Sequence, residues 1–274
     1  MTTNIILMAG KGTRFIEKGY KISKPLLPVS GQPMIVRAAR SLPKAKKWVF
    51  VVRQEHLVDQ KLIAVLKSTG ENVDIIADPN PIGQLNSCLV AEDYYPDKDY
   101  MFVGACDFEM SYNEKKLFNL IKKEEPDMIS FSFTKQKNLS RNPVAWGWLK
   151  LGEKNRITGV SVKVPISDNP FNDNAITGSF AFKNGKVFMK IAKELIRRGI
   201  TVKGEYYIDS MINIANDLGY KVVAFPVTYI GWGVPEDYEE YIYWENIFKG
   251  GNYQKEKNNA DYSFWYEYFN GKKN

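Results

Sequence analysis

Apolar residues along the chain fall into short, sharply bounded runs. Residues 4–8, 48–52, 73–77 and 100–104 are each a short, mostly apolar or β-branched stretch, the length of a buried strand. Between them, 34–42 has helical spacing, 58–68 reads as an amphipathic helix, and 86–92 suits another. Strands alternating with helices predict an α/β fold: a mostly parallel, mixed central sheet flanked by helices in three layers. Beyond position 107 the rhythm loosens. Helices are expected at 114–123, 186–198, 208–218 and 238–247, and strands at 128–134, 176–182 and 221–227. Residues 144–150 and 157–164 alternate like antiparallel strands, and 168–174 is a polar loop. The segment 261–269 is dense in aromatic residues, which predicts a helix docked on the body. With no internal repeat and no linker rich in Pro, Gly or Ser, one domain over 1–274 is expected.

Composition narrows the classes. The chain has 274 residues, 44% hydrophobic and 25% charged, enough apolar material for a sizeable core. No apolar run approaches the roughly 20 residues that span a bilayer. The first residues lack the order of a signal peptide, so neither membrane nor secretion is expected. Cys88 and Cys106 are the only cysteines, too few for a disulfide framework or a thiolate zinc site, and a cytoplasmic location follows as the expectation. The formal charge of +7 is spread over scattered lysines without a nucleic-acid-binding signature, so no nucleic-acid partner is expected. A basic protein binding polyanions with steep salt dependence stays as an alternative.

Candidate chemistry begins where the first strand ends. Gly10 and Gly12 let backbone N–H groups close around an oxyanion. The spacing is not that of a P-loop, and Phe15 stands where a dinucleotide fingerprint needs its third glycine. Arg14 adds a planar fork for a pyrophosphate, and Lys24 a point charge fixed by Pro25.

The stretch Leu7-Met8-Ala9-Gly10-Lys11-Gly12-Thr13-Arg14-Phe15, with Ser23-Lys24-Pro25-Leu26-Leu27-Pro28-Val29 and Gly31-Gln32-Pro33-Met34, resembles the signature of sugar-1-phosphate nucleotidyltransferases. The likeness continues through Pro81-Ile82-Gly83, Gly104-Ala105-Cys106-Asp107, Ala145-Trp146-Gly147, Lys163, Thr177-Gly178, Gly204-Glu205-Tyr206-Tyr207 and Trp232-Gly233-Val234-Pro235-Glu236-Asp237. Gly19-Tyr20, Arg53-Gln54-Glu55-His56 and Pro165-Ile166-Ser167-Asp168 look most like a branch encoded in bacterial capsule gene clusters. The resemblance implies a Rossmann-like nucleotidyltransferase fold whose residues 1–110 bind nucleotide and 111–250 the phosphorylated substrate, with 251–274 an aromatic tail. It implies catalytic roles for Arg14, Lys24 and Lys163. Nucleotide binding falls to Met8, Ala9, Gly10, Lys11, Gly12, Thr13, Asp78 and Gly83, and substrate binding to Gly147, Thr177 and Glu205. Magnesium is expected on Asp107.

Each assignment has a plainer reading. Asp107 could cap a strand-to-loop junction, but a carboxylate at the carboxyl end of a parallel strand sits where ligands bind, and magnesium takes one or two carboxylates plus phosphate oxygens. The family's second carboxylate falls here on Gly231, and Glu236 and Asp237 nearby could simply start a helix. Lys163 could be a solvent-facing strand lysine, and Glu205 a helix-start carboxylate. Asp78 falls where thymidylyl-transferring relatives read the base with glutamine. A carboxylate only accepts, so it suits the donor edge of cytosine, then guanine; otherwise Asp78-Pro79-Asn80-Pro81 is a turn. His56, the only histidine, excludes histidine-rich metal sites and is expected to orient a loop.

The expected reaction is NTP plus a phosphorylated small molecule giving an NDP-linked product and pyrophosphate. The attacking phosphate is already ionised, so no base-and-nucleophile pair is needed. A non-catalytic nucleotide-binding regulator on the same fold is the alternative of another class. The sequence does not fix the acceptor, and it is compatible with a homo-oligomer.

Overall fold

The computed structural model describes residues 2–251 and 253–271. In chain order, the amino-terminal part runs β1 (Thr3–Met8), α1 (Thr13–Glu17), β2 (Pro28–Val29), β3 (Gln32–Pro33), α2 (Met34–Arg40), β4 (Lys47–Arg53), α3 (Gln60–Lys67), β5 (Val73–Asp78), α4 (Gln84–Leu89) and β6 (Met101–Ala105). Then come β7 (Phe108–Ser111), α5 (Glu114–Glu124), β8 (Met128–Phe133), α6 (Lys137–Arg141), β9 (Gly147–Leu151), β10 (Ile157–Val162) and β11 (Asn174–Phe182). The last part is α7 (Gly185–Arg197), α8 (Met211–Asp217), β12 (Val222–Pro226), β13 (Thr228–Gly231), α9 (Pro235–Lys249) and α10 (Tyr262–Gly271).

A mixed sheet runs in the order β10-β9-β11-β6-β1-β4-β5, with β8 against β11 and β12 against β8. Strands β6, β1, β4 and β5 are mutually parallel, as expected of βαβ units, whereas β11 runs antiparallel to β6, β8 and β9. Period-two alternation divides each apolar run between two cores. In β4, Val49 and Val51 pack into one face while Trp48, Phe50 and Val52 pack into the other. Side chains cap the helices: Asp59 accepts from the Leu62 N–H, Asn113 from Lys116, and Asn184 from Val187. Each fixes where a helix begins. A third, aromatic cluster joins Phe15, Trp232, Tyr241 and Trp244 to Trp265 and Tyr268 of α10, which is the expected docked tail. Lys272 and Lys273 lie outside the described residues.

The departures from the sequence expectations are local. α4 starts at Gln84 rather than 86, because Gly83 (φ 113°) makes the turn that lets the helix begin early. Residues 143–145 form a short helical turn before β9, starting at Pro143. Lys163 is not in a strand; it follows β10 with φ 62°, and its N–H donates to the Trp146 carbonyl at 2.9 Å, next to the β9–β10 ladder. Strands β7 and β13 were not anticipated. They pair with each other beside the main sheet, and β7 carries the buried Glu109, ion-paired to Arg37 and hydrogen-bonded to the Tyr268 hydroxyl. At four residues each, β7 and β13 are too short for alternation to stand out in the sequence.

Candidate active site

The carboxyl ends of β1, β4 and β6 open into a cleft of about 890 Å³. The chain order reverses here, with β6 added on one side of β1 and β4 on the other, and such a switch point is where open α/β sheets bind ligands. The loop after β1 supplies Met8, Ala9, Gly10, Lys11 and Gly12 to the wall. Gly12 sits at φ 64° and its carbonyl accepts from the Phe15 N–H at 3.0 Å, so the chain turns sharply into α1. A side chain at Gly10 would meet no protein atom within 4 Å, so the space beside it belongs to the cleft.

Lys24 is the hub of the charged floor. Its Nζ donates to Asp107 Oδ2 at 2.6 Å and to the Gly233 carbonyl at 3.1 Å. Burial alone would lower its pKa, but Asp107 outweighs that and the net shift is upward, so Lys24 is a cation at any physiological pH. Asp107 follows β6 and is tied to β13 through its carbonyl, which accepts from the Trp232 N–H at 2.8 Å. Across the cleft, Lys163 donates to the Ala145 carbonyl and lies 5.5 Å over the Tyr207 ring. Burial lowers the Lys163 pKa, Asp209 opposes the shift, and Lys203 and Arg14 add to it by repulsion. Arg14 is exposed on the rim and is felt by both lysines. Lys24 pairs with Asp107, and Lys11, Arg14, Arg53 and Lys163 line the same cleft with Glu55, Asp59 and Glu205. Such a floor suits a polyanion.

The structure divides the expected site residues into two groups. Met8, Ala9, Gly10, Lys11, Gly12, Arg14, Lys24, Gly83, Asp107, Lys163 and Glu205 all line the cleft. Thr13, Asp78, Gly147 and Thr177 do not. Thr13 is exposed at the start of α1, facing away from the wall. Thr177 is buried: its hydroxyl accepts from the Ser179 N–H at 3.1 Å and contacts Met110 Sδ, and Gly178 takes its place in the lining. Gly147 is buried against the Asp209 carboxylate and Ile176, where any side chain would collide. Asp78, 4% exposed, spends Oδ1 on the Asn80 N–H (2.9 Å) and Oδ2 on the Ser87 hydroxyl (2.6 Å). It is both the expected turn former and something more, since Ser87 itself lines the cleft.

Sequence reasoning gave no role to Arg53, Glu55, Asp59, Gln84 or Ser87, all of which line the cleft, as does Tyr207 of the expected sugar-contacting segment; it read His56 as a loop orienter or a surface residue. The available signal was position: Arg53-Gln54-Glu55-His56 directly follows a parallel strand. His56 does orient its loop, accepting the Arg53 N–H at Nδ1 (3.4 Å), and burial lowers its pKa. Cys106 is no nucleophile, because burial pushes its thiol up to about 12.

No group of three or more His, Cys, Asp or Glu side chains that could hold a metal exists among the described residues. Glu236 pairs with Lys18 and Asp237 with Arg141, so neither joins Asp107. A side chain at Gly231 would lie 2.7 Å from the Tyr229 ring, so a second carboxylate cannot be seated there without moving that ring. One carboxylate facing a polyanion site fits a magnesium ion that takes its remaining ligands from phosphates and water. It does not fit a metal caged by protein alone.

Residues 4–138 match the family model of the MobA-like NTP transferase domain. A bifunctional protein GlmU from an Exiguobacterium species is 27% identical over 221 residues, 80% of this chain and 46% of that protein. Another GlmU, from Lactobacillus johnsonii, is 26% identical over 237 residues, 81% of this chain and 46% of that protein. The chain spans slightly under half the length of these relatives. A nucleoside-diphosphate-sugar pyrophosphorylase from Vibrio cholerae superposes with a TM-score of 0.68 at 18% identity, covering 88% of this chain and 99% of that one. The inositol-1-phosphate CTP transferase from T. maritima gives 0.67 at 17%, covering 88% and 94%. The fold is the Rossmann-like nucleotidyltransferase fold. Over residues 4–138 the chain is thus similar to the MobA-like NTP transferase domain, and over most of its length it is similar in fold to the nucleoside-diphosphate-sugar pyrophosphorylase. Among the described residues no helix is long and apolar enough to cross a membrane.

Proposed function

We propose that the chain transfers a nucleoside monophosphate from an NTP, with CTP favoured and GTP next, to a sugar-1-phosphate or a similar phosphorylated small molecule. Pyrophosphate is released, and the product serves surface polysaccharide (capsule) synthesis. The observation that carries this reading is that the Gly10–Gly12 loop, Arg14, Lys163 and the Lys24–Asp107 pair all line one cleft.

In the proposed reaction an ionised phosphate oxygen of the acceptor attacks the α-phosphorus. The bond from the α-phosphorus to the bridging oxygen breaks, and that oxygen leaves with pyrophosphate. Backbone N–H groups of the loop wrap the triphosphate, Arg14 holds the departing pyrophosphate with its fork, and Lys163 grips the incoming phosphate. Lys24 releases Asp107 and turns its charge to the phosphates, a short swing for a residue already at the cleft floor. Magnesium, when held by Asp107 with phosphate oxygens, supplies charge neutralisation at the reacting phosphates. Lys163 suits its task because burial strips it of water, so its charge acts on the acceptor phosphate with little screening.

A matrix of the four NTPs against a panel of phosphorylated sugars, polyols and amines, read by pyrophosphate release, tests the reading. Release that needs both an NTP and a phosphorylated acceptor is expected. Tight NTP binding with no release under any pairing would instead make the chain a nucleotide-binding regulator.

A further inference from the structure

The cleft wall formed by α4 presents two side-chain acceptor atoms, Ser87 Oγ and Gln84 Oε1. Ser87, 6% exposed, lines the cleft, and its hydroxyl hydrogen is committed to Asp78 Oδ2 at 2.6 Å. A serine whose single hydrogen is spent can offer only lone pairs to whatever lies in front of it. Asp78 in turn cannot reverse the bond, because a carboxylate has no hydrogen to give. Its other oxygen is anchored by the Asn80 N–H at 2.9 Å, which fixes its orientation. One helical turn earlier on the same face stands Gln84, also in the cleft lining, whose Oε1 is buried with no hydrogen-bond partner. Buried acceptors without donors are costly and ask for a partner.

We infer that Asp78 and Ser87 act as a polarity lock that reads the amino group of the incoming base: Ser87 touches the base, and Asp78 is a positioning residue that forces Ser87 to accept. This rests on the proposed NTP transfer and names its base reader. Cytosine and uracil are the same size and differ on this edge: cytosine offers a 4-amino donor, uracil a 4-oxo acceptor. Facing the locked serine, the amino group gains a hydrogen bond, whereas the oxo group meets a lone pair and leaves two buried acceptors opposed. Sites built on such hydrogen bonding discriminate strongly, because the wrong partner leaves polar groups unpaired.

The lock makes an unusual prediction for Asp78→Asn. The asparagine Oδ1 can still accept from the Asn80 N–H, while its Nδ2 donates to Ser87 Oγ. Ser87 is then free to turn its hydrogen into the cleft, where it suits uracil. Ser87→Ala removes the reader altogether. The experiment measures kcat/KM for CTP and UTP with wild type, Ser87→Ala and Asp78→Asn, after melting curves confirm that each variant is folded. The wild type should prefer CTP by roughly 10²-fold or more. Ser87→Ala should reduce that ratio by about tenfold through loss of CTP turnover. Asp78→Asn should reduce it further by an actual gain in UTP turnover, which a merely structural role for Asp78 would not produce. An unchanged CTP-to-UTP ratio in folded Ser87→Ala and Asp78→Asn would overturn the lock while leaving the transferase reading intact, as would a wild type that prefers UTP. Absence of pyrophosphate release with any NTP would remove the transferase reading itself. If Asp78→Asn does not fold, Ser87→Thr serves in its place: it keeps the hydroxyl and should keep the CTP preference that Ser87→Ala loses.

Discussion

The two ends of the cleft are built differently. At the proposed leaving-group end, the groups are the backbone of the loop after β1, Asp107 just after β6, and Lys24, which the chain beyond α1 brings back to the same floor. At the proposed acceptor end, Lys163 follows β10, Glu205 lies in the loop before α8, Gly147 begins β9 and Thr177 lies in β11, elements joined by antiparallel pairing and by turns. There Lys163 and Glu205 reach the cleft, while Gly147 and Thr177 support it from behind. The difference teaches where sequence order maps directly onto space. Parallel strands place every strand end on one edge of the sheet, so motifs that follow strands must meet. A bent antiparallel strand offers no such guarantee, because a shift of one residue moves a side chain to the other face.

The largest test of the leaving-group end is removal of its charge pair. Lys24→Ala and Asp107→Ala should each cost roughly 10²-fold or more in turnover, as preorganised electrostatic groups do. Steady-state kinetics with near-normal turnover in either variant would break the account at its better-defined end.

The acceptor end is sharpened by Gly147→Ala. The new methyl would collide with Asp209 Oδ2 and sit 2.9 Å from Ile176 Cδ1. Overpacking of this kind costs about 1–3 kcal/mol, visible as a lowered denaturant midpoint. Thr177→Val, in contrast, should cost about 1 kcal/mol for the lost acceptor of the Ser179 N–H. It should leave the acceptor KM nearly unchanged. A large rise in that KM would return Thr177 to the substrate contacts.

Asp209 gives the acceptor end a pH signature. Burial raises its pKa to about 6, with Lys163 pulling it down. The folded protein therefore binds this proton more tightly than the unfolded chain does. Its contribution to stability is full below about pH 4. That contribution fades as pH rises through about 6. Asp209→Asn should lack this decline, so its melting temperature relative to wild type should climb between those limits by a few degrees. A difference that does not vary with pH would contradict the assignment.

The smallest effect is expected at the tail. Tyr268→Phe removes hydroxyl contacts to Arg37 (3.1 Å) and Glu109 (3.3 Å), a loss of about 1 kcal/mol in a melt. Since Glu109 lies two residues past Asp107, turnover should fall only slightly if α10 is scaffold.

Much of the molecule was readable before the structure. The parallel strands were, because mostly apolar runs of five residues bounded by loops have few other uses, and the aromatic tail was, because a segment so rich in rings must be covered. The glycine loop and Asp107 could be placed at the cleft because each directly follows a parallel strand, whereas Lys24 was singled out by its neighbouring proline and the family resemblance. What escaped depended on tertiary contacts. The β7–β13 ribbon was hidden by its shortness, four residues a strand, and its buried Glu109 is met by Arg37 and Tyr268 from distant parts of the chain. The role of Ser87 was invisible because it is defined by a hydrogen bond to a residue nine positions earlier. Gly231 was seen as a missing carboxylate; the Tyr229 ring supplies the reason it is missing.

The central claim is that one cleft joins an NMP unit to a phosphorylated acceptor. Phosphorus NMR of a mixture of CTP, acceptor phosphate, magnesium and protein follows it directly. The account predicts that the acceptor phosphate signal is replaced by that of a new diphosphate linkage while pyrophosphate appears in equal amount, and that Asp107→Ala suppresses both. Pyrophosphate or free phosphate appearing without the new linkage, or no change with any acceptor in the panel, would contradict it.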